Sequence, residues 1–73
     1  MITNVTLQKL AFEHKEYDTL LNGTYYNFTH PSKGKFIAMM PDKGTKIQLD
    51  SLDLSINLVF YTLEELIDWI TEK

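Results

Sequence analysis

The two histidines, His14 and His30, are the side chains of this sequence most suited to catalysis or metal binding. On a helix, His14 and Asp18 would lie four residues apart on one face and could supply two metal ligands. Two neighbouring ligands are too few for a metal site, and nothing in the sequence places His30 beside them. Because the chain also has no cysteine to act as a thiolate ligand, we expect neither a metal nor another cofactor.

The sequence also lacks the patterns that accompany phosphate binding and acid–base catalysis. Residues 32–35 combine serine, lysine and glycine, but they lack the glycine spacing of phosphate-binding motifs and precede a strand pattern instead of a helix. No pair of carboxylates has the apolar setting that would raise a carboxyl pKa for proton transfer. Since no nucleophile–base set can be assembled either, the sequence predicts a protein that is not an enzyme.

Charge is distributed unevenly along the chain. Residues 1–49 hold six lysines and four acidic residues, whereas residues 50–73 hold six acidic residues and one lysine, and the total charge is −3. Glu64, Asp68 and Glu72 recur at a spacing of four and predict an acidic helix face. Such a face is either simply solvated or binds a basic partner, to which it would mimic the phosphates of a nucleic acid.

The lysines of the central region offer a different function, direct binding of nucleic acid. Lys33, Lys35, Lys43 and Lys46 could form a basic sheet surface on which Tyr25 stacks against a base. Every lysine could equally be a solvated residue at the sheet rim, where it blocks edge-to-edge aggregation. The absence of arginine and the net negative charge both weigh against nucleic-acid binding.

The clearest structural signal lies near the C-terminus. Thr62 followed by Glu65 predicts a capping box at the start of a helix. The residues after it place apolar side chains on one helix face, namely Leu63, Leu66, Ile67 and Ile70. Trp69 lies beside this stripe, where it either completes the edge of the core or is exposed as an interface anchor.

Two stretches each allow two interpretations. Residues 4–21 carry apolar side chains at helical spacing among good helix formers, with Asn22-Gly23 ending the helix. Alternatively, Asn22-Gly23 is the turn of a hairpin that joins residues 17–21 to residues 24–30. Residues 52–61 alternate as a strand does, yet they also continue the face of the terminal helix backwards. We favour a helix for residues 4–21 and a strand over residues 55–61.

The remaining segments complete a fold prediction. Residues 24–30, 35–40 and 45–49 are strand patterns separated by turns rich in proline and glycine. The sequence therefore predicts one small α+β domain over residues 1–73, with an N-terminal helix, an antiparallel sheet of three to four strands and a C-terminal helix packed on the sheet. The alternative fold is a helix, three strands and one long helix over residues 52–72.

The strand at residues 35–40 is apolar on both faces, with Ile37 and Met39 pointing away from Phe36, Ala38 and Met40. A strand of this kind needs cover on both faces. If both helices cover the Phe36 side, a second subunit must cover the other side, so we expect a homodimer. The expected interface consists of Ile37, Met39, Tyr25 and Trp69.

The functional hypothesis follows partly by exclusion. A 73-residue chain builds only a small core, and self-association is one common remedy. No signal sequence and no apolar run of the roughly 18 residues needed to cross a membrane is present, so we expect a cytoplasmic protein without membrane contact. The leading hypothesis is a non-catalytic protein-interaction module of the small regulatory or accessory kind found in bacteria and phages. Its partner is not identifiable from the sequence.

Overall fold

A computed structural model describes residues 2–72 of the chain, which form two helices and one five-stranded antiparallel sheet. The elements are α1 (Asn4–Lys9), β1 (Glu13–Asp18), β2 (Gly23–His30), β3 (Gly34–Pro41), β4 (Ile47–Ser51), β5 (Asn57–Phe60) and α2 (Leu63–Thr71). The strands lie side by side in sequence order. The α+β class is confirmed, but the sheet has five strands instead of three to four.

The N-terminal helix is much shorter than the predicted span of residues 4–21. Its end is a Schellman motif, in which the amide of Phe12 donates to the carbonyl of Leu7 across 2.9 Å and the amide of Ala11 donates to that of Gln8 across 3.1 Å. Ala11 has the left-handed φ of 69° that this motif requires. Phe12 and Leu7 are both buried in the core, so the chain reverses there because the reversal buries an aromatic ring.

The rest of that span forms the β1–β2 hairpin. Its loop covers residues 19–22. The carboxylate Oδ1 of Asp18 accepts hydrogen bonds from the backbone amides of Leu20 (2.9 Å) and Leu21 (3.1 Å). Asn22 closes the loop with a φ of 51°. The hairpin interpretation was therefore correct in kind, although Gly23 is the first residue of β2 instead of part of a two-residue turn.

The C-terminal third agrees with the predicted strand followed by a helix. β5 pairs antiparallel with β4, which excludes one long helix over residues 52–72. In the capping box, the amide of Glu65 donates to Oγ1 of Thr62, and the amide of Thr62 donates to Oε1 of Glu65, each across 3.1 Å. The prediction that α2 begins after Thr62 is confirmed.

Both helices pack on the same face of the sheet. Alternate residues of the strands point towards them, and the buried cluster joins Leu7 of α1 and Leu66 of α2 to Tyr26, Phe28, Phe36, Ala38, Met40, Ile47 and Leu49 of the sheet. The hydroxyl of Tyr26 also donates to the side-chain oxygen of Asn4 at the start of α1. The opposite face therefore receives no helix. Neither α1 nor α2 has the length and apolar character of a membrane-spanning segment.

Candidate interaction surface

We call the sheet face that carries neither helix the open face. Strand pairing aligns its residues in two cross-strand rows. One row consists of Glu16, Tyr25, Met39, Gln48 and Val59, and the next consists of Glu13, Asn27, Ile37, Asp50 and Asn57. Tyr25, Ile37 and Met39 are thus neighbours, as predicted from the alternation in β3, and all three side chains are half-buried.

The composition of the open face changes from its centre to its perimeter. Tyr25, Ile37 and Met39 form an apolar centre, and Glu13 and Glu16 lie exposed on the edge strand β1. This arrangement of an apolar patch within a polar rim is typical of protein–protein interfaces. The open face can therefore bury apolar area against another protein.

The side chain of Met39 occupies space that Gly23, on the neighbouring strand, leaves free. A Cβ atom on Gly23 would lie 2.7 Å from Sδ of Met39 and 3.2 Å from the carbonyl oxygen of Met40. The methionine side chain therefore lies directly over the backbone of Gly23, which is itself buried. Sequence reasoning assigned Gly23 to a helix end or a turn and missed this packing role, although a glycine inside a strand often marks such a close approach.

Trp69, the fourth expected interface residue, belongs to the core. Only 7% of its surface is exposed. Its ring centroid lies 5.1 Å from that of Phe36 in an edge-to-face contact, 5.6 Å from Phe60 and 5.9 Å from Phe28. Trp69 is therefore not available as an exposed anchor, and its position confirms the interpretation that it completes the core.

The structure places the two histidines on different strands. His30 is 1% exposed, and its Nε2 lies 2.6 Å from the carbonyl oxygen of Trp69. Its Nδ1 accepts the backbone amides of Ser32 (3.0 Å) and Lys33 (3.2 Å), so the proton resides on Nε2. His14 lies exposed on β1. Within residues 2–72, no group of three or more metal-ligating side chains occurs.

The lysines of the proposed basic surface lie at two ends of the sheet. Lys33 and Lys35 belong to the β2–β3 turn and the start of β3, whereas Lys43 and Lys46 follow the other end of β3. The ammonium of Lys33 lies 3.5 Å from a carboxylate oxygen of Glu72. The fold therefore places these lysines in two pairs that are separated by the length of β3.

The acidic residues of α2 have different surroundings. Glu65 is engaged in the capping box, and Glu72 lies near Lys33. Glu64 and Asp68 are exposed and lie four residues apart on one side of α2. Glu72 follows the last residue of α2 as its C-cap, with an extended backbone. Of the three residues predicted for the acidic face, α2 therefore contains Glu64 and Asp68, and Glu72 lies just beyond its end.

One cleft has a volume of about 460 Å³ and lies at the end of the sheet near the β4–β5 loop. Its walls are formed by Glu13, Asn27, Phe28, Thr29, Lys35, Phe36 and Leu52. Glu13 and Lys35 are its ionisable groups, and neither histidine lies in its wall. The wall of this cleft thus combines charged, polar and apolar side chains.

Comparison of the chain with protein-family models, with curated proteins and with solved structures found no match.

Proposed function

We propose that this protein is a non-catalytic interaction module that forms a homodimer through its open face. The observation that carries the proposal is the placement of both helices on one side of a sheet whose central strand β3 is apolar on both sides. Ile37 and Met39 remain half-buried within one chain. A second subunit would remove the rest of their apolar surface from water, which is a favourable change.

The dimensions of the molecule suit this role. The two longest extents of the whole molecule are 34 Å and 26 Å, so one side of the molecule is comparable in size to the roughly 800 Å² per partner that specific interfaces use. A two-fold axis needs only one self-complementary patch. The open face meets this requirement, since it carries acidic Glu13 and Glu16 as well as basic Lys35, so the rims of two copies can pair opposite charges.

Analytical ultracentrifugation tests the proposal. We expect a species of about 17 kDa, twice the chain mass of 8.5 kDa, at tens of micromolar protein. The double variant Ile37→Lys, Met39→Lys places two charges at the centre of the open face and should sediment as a folded monomer. Its far-UV circular dichroism should match that of the wild type, because neither side chain contributes to the helix-covered core.

A matched control makes the same chemical change away from the open face. Val5 in α1 is 61% exposed and Leu20 in the β1–β2 loop is 91% exposed, so Val5→Lys together with Leu20→Lys also exchanges two apolar side chains for two lysines. This control should remain dimeric. A wild-type chain that stays monomeric at tens of micromolar, or a control that dissociates as fully as the open-face variant, would contradict the proposal.

A further inference from the structure

Strand β5 is the last strand of the sheet. Among residues 2–72, β4 is the one strand that pairs with it, so its other edge is unpaired within this part of the chain. The amide of Ser51 donates to the carbonyl of Ile56 across 3.0 Å, which makes these residues a hydrogen-bonded pair at the start of the ladder. Because such pairs alternate along antiparallel strands, Leu58 bonds to β4, whereas Asn57 and Val59 direct their N–H and C=O groups away from the sheet.

The two edges of the sheet differ in how they resist pairing with another strand. The β1 edge carries Glu13, Lys15, Glu16 and Asp18, and its register shifts between His14 and Glu16. Charged side chains and bulges are the devices by which edge strands avoid unwanted pairing. The β5 edge, Asn-Leu-Val-Phe, has no charged residue and a regular register. The β5 edge is therefore open to strand addition.

The segments on either side of β5 combine exposed apolar groups with negative charge. Large apolar side chains are exposed at Leu52, Leu54, Ile56, Val59, Tyr61 and Ile67. The acidic residues of the same region are Asp50, Asp53, Glu64, Glu65, Asp68 and Glu72. A segment that pairs with β5 would gain apolar contacts, and basic side chains on it would be attracted by this charge.

One carboxylate beside the edge lacks a partner. Asp50 lies directly opposite Asn57 on the open face, and its Oδ1 is buried without a hydrogen-bond donor among the described residues. A buried carboxylate oxygen without a donor is unfavourable. A lysine or arginine on an added strand beside Asn57 can extend across that residue to supply the missing donor.

We propose that the β5 edge binds an extended, basic segment of a partner protein as a sixth strand of the sheet. The inference rests on the proposed function as a non-catalytic interaction module. The backbone of the bound segment pairs with the sheet edge, and one of its basic side chains reaches Asp50 at the margin of the open face. The bound segment alternates apolar and basic residues, since successive side chains of a strand point to opposite faces. Backbone hydrogen bonds to Asn57 and Val59 provide affinity, and the acidic surroundings select the charge.

A second copy of this chain fits the edge less well. Pairing two β5 strands would bring two copies of α2 together, and the exposed carboxylates of Glu64 and Asp68 would then repel each other. Pairing β5 with β1 of another copy would place these acids near Glu13 and Glu16. Charge complementarity therefore favours a basic segment over a second copy.

A synthetic peptide provides a defined probe. The peptide has about eight residues, long enough for a typical strand, alternates valine with lysine, and is N-methylated at every second amide so that only one of its edges can pair. A matched peptide replaces lysine by glutamate, and a third carries the N-methyl groups on both edges. Fluorescence anisotropy with labelled peptides then measures binding to the wild-type chain at low and high salt.

We expect binding of the lysine peptide with one free edge, weaker binding at high salt, and no binding of the other two peptides. Val59→Pro removes an amide that the β4 ladder does not use and should reduce the affinity roughly tenfold or more. Val59→Thr keeps the amide and the strand preference and should bind as the wild type does. Asp50→Asn should also bind more weakly, because it removes the charge beside the edge.

Three outcomes would overturn the inference: equal binding of the lysine and glutamate peptides, equal binding of the doubly methylated peptide, or no binding at all. The methylated peptides keep the test decisive even if Val59→Pro does not fold. Sedimentation of the same wild-type sample distinguishes the two proposals. A dimer without peptide binding refutes only the edge site, and a monomer that binds the lysine peptide refutes only the dimer.

Discussion

The imidazole Nε2 of His30 donates to the carbonyl oxygen of Trp69 across 2.6 Å and so ties the β2–β3 turn to the C-terminal end of α2. The same carbonyl accepts the amide of Glu72, the C-cap of α2, across 3.2 Å. His30 therefore adds a second hydrogen bond to the helix end from another part of the chain. On its other side, Nδ1 accepts the amides of Ser32 and Lys33. The histidine therefore joins two segments that the backbone alone leaves separate.

Replacement of His30 should destabilise the fold in proportion to the contacts that are lost. His30→Phe keeps the aromatic ring but removes both sets of hydrogen bonds, and we expect a loss of about 2–4 kcal/mol in the free energy of unfolding. His30→Asn retains an acceptor for the turn, and His30→Gln retains a donor for the helix carbonyl, so each should lose less. Urea unfolding measures all three, and equal stability of His30→Phe and the wild type would contradict this role.

Ala11 should be replaceable by glycine with a gain in stability. Its φ of 69° costs a residue with a Cβ about 1–2 kcal/mol. This cost exceeds the loss of stability that glycine causes by raising the conformational entropy of the unfolded chain. We expect Ala11→Gly to raise the free energy of unfolding by roughly 0.5–1 kcal/mol. Ala11→Val is the matched comparison and should lower it, since a β-branched residue tolerates this conformation poorly. Thermal or urea unfolding that ranks valine above glycine would show that the left-handed turn is not maintained.

The same alanine explains why sequence reasoning misplaced the first helix. A left-handed helix end is usually marked by glycine, and here an alanine occupies it, so residues 4–21 gave no local signal of a break. The exposed strand β1 added to the error, because its residues are polar and helix-compatible. What ends α1 is the burial of Phe12, whose ring stacks on Phe28 at a centroid distance of 4.2 Å, and such a long-range contact has no local pattern.

Prediction succeeded where the signal was local. The Thr62–Glu65 capping box fixed the start of α2, and the alternation of β3 placed Ile37 and Met39 on the open face. The orientation of α2 was harder to derive, since Ile67 is 38% exposed while Trp69 is buried. The helix presents Trp69 to the sheet because three phenylalanine rings of the sheet surround the indole. Helical spacing alone does not reveal that the sheet forms a site large enough for a tryptophan.

Gly23→Ala should disturb the open face through Met39. The added Cβ would lie 2.7 Å from Sδ of Met39, a separation that forces the thioether to move. We expect weaker self-association in sedimentation experiments and a shifted methyl resonance of Met39. Met39→Ala should itself weaken self-association, because it removes part of the apolar centre of the open face. Adding Gly23→Ala to Met39→Ala should then weaken self-association much less than Gly23→Ala does in the wild type, because the contact with the thioether is already lost. If Gly23→Ala left the dimer affinity unchanged, the position of the Met39 side chain would not contribute to the interface.

Asp53 should make the β4–β5 loop sensitive to acid. Its Oδ1 accepts hydrogen bonds from Oγ of Ser55 (2.7 Å), from the amide of Ser55 (3.0 Å) and from Oγ of Ser51 (2.8 Å). These bonds favour the charged form and lower the pKa of Asp53 from 3.8 to about 2. Because the folded-state pKa is the lower one, the stabilisation is present above pH 4 or so and is lost as the pH falls towards about 2.

The comparison with Asp53→Asn isolates this contribution from that of the other carboxylates. The variant should have a lower urea midpoint than the wild type at neutral pH, and the difference should shrink as the pH falls through the range in which Asp53 becomes protonated. Asp68→Asn is a suitable control, since Asp68 is exposed on α2, and its effect should be small. A difference between wild type and Asp53→Asn that stays constant from neutral pH to about pH 2 would mean that the hydrogen bonds, and not the charge, hold the loop.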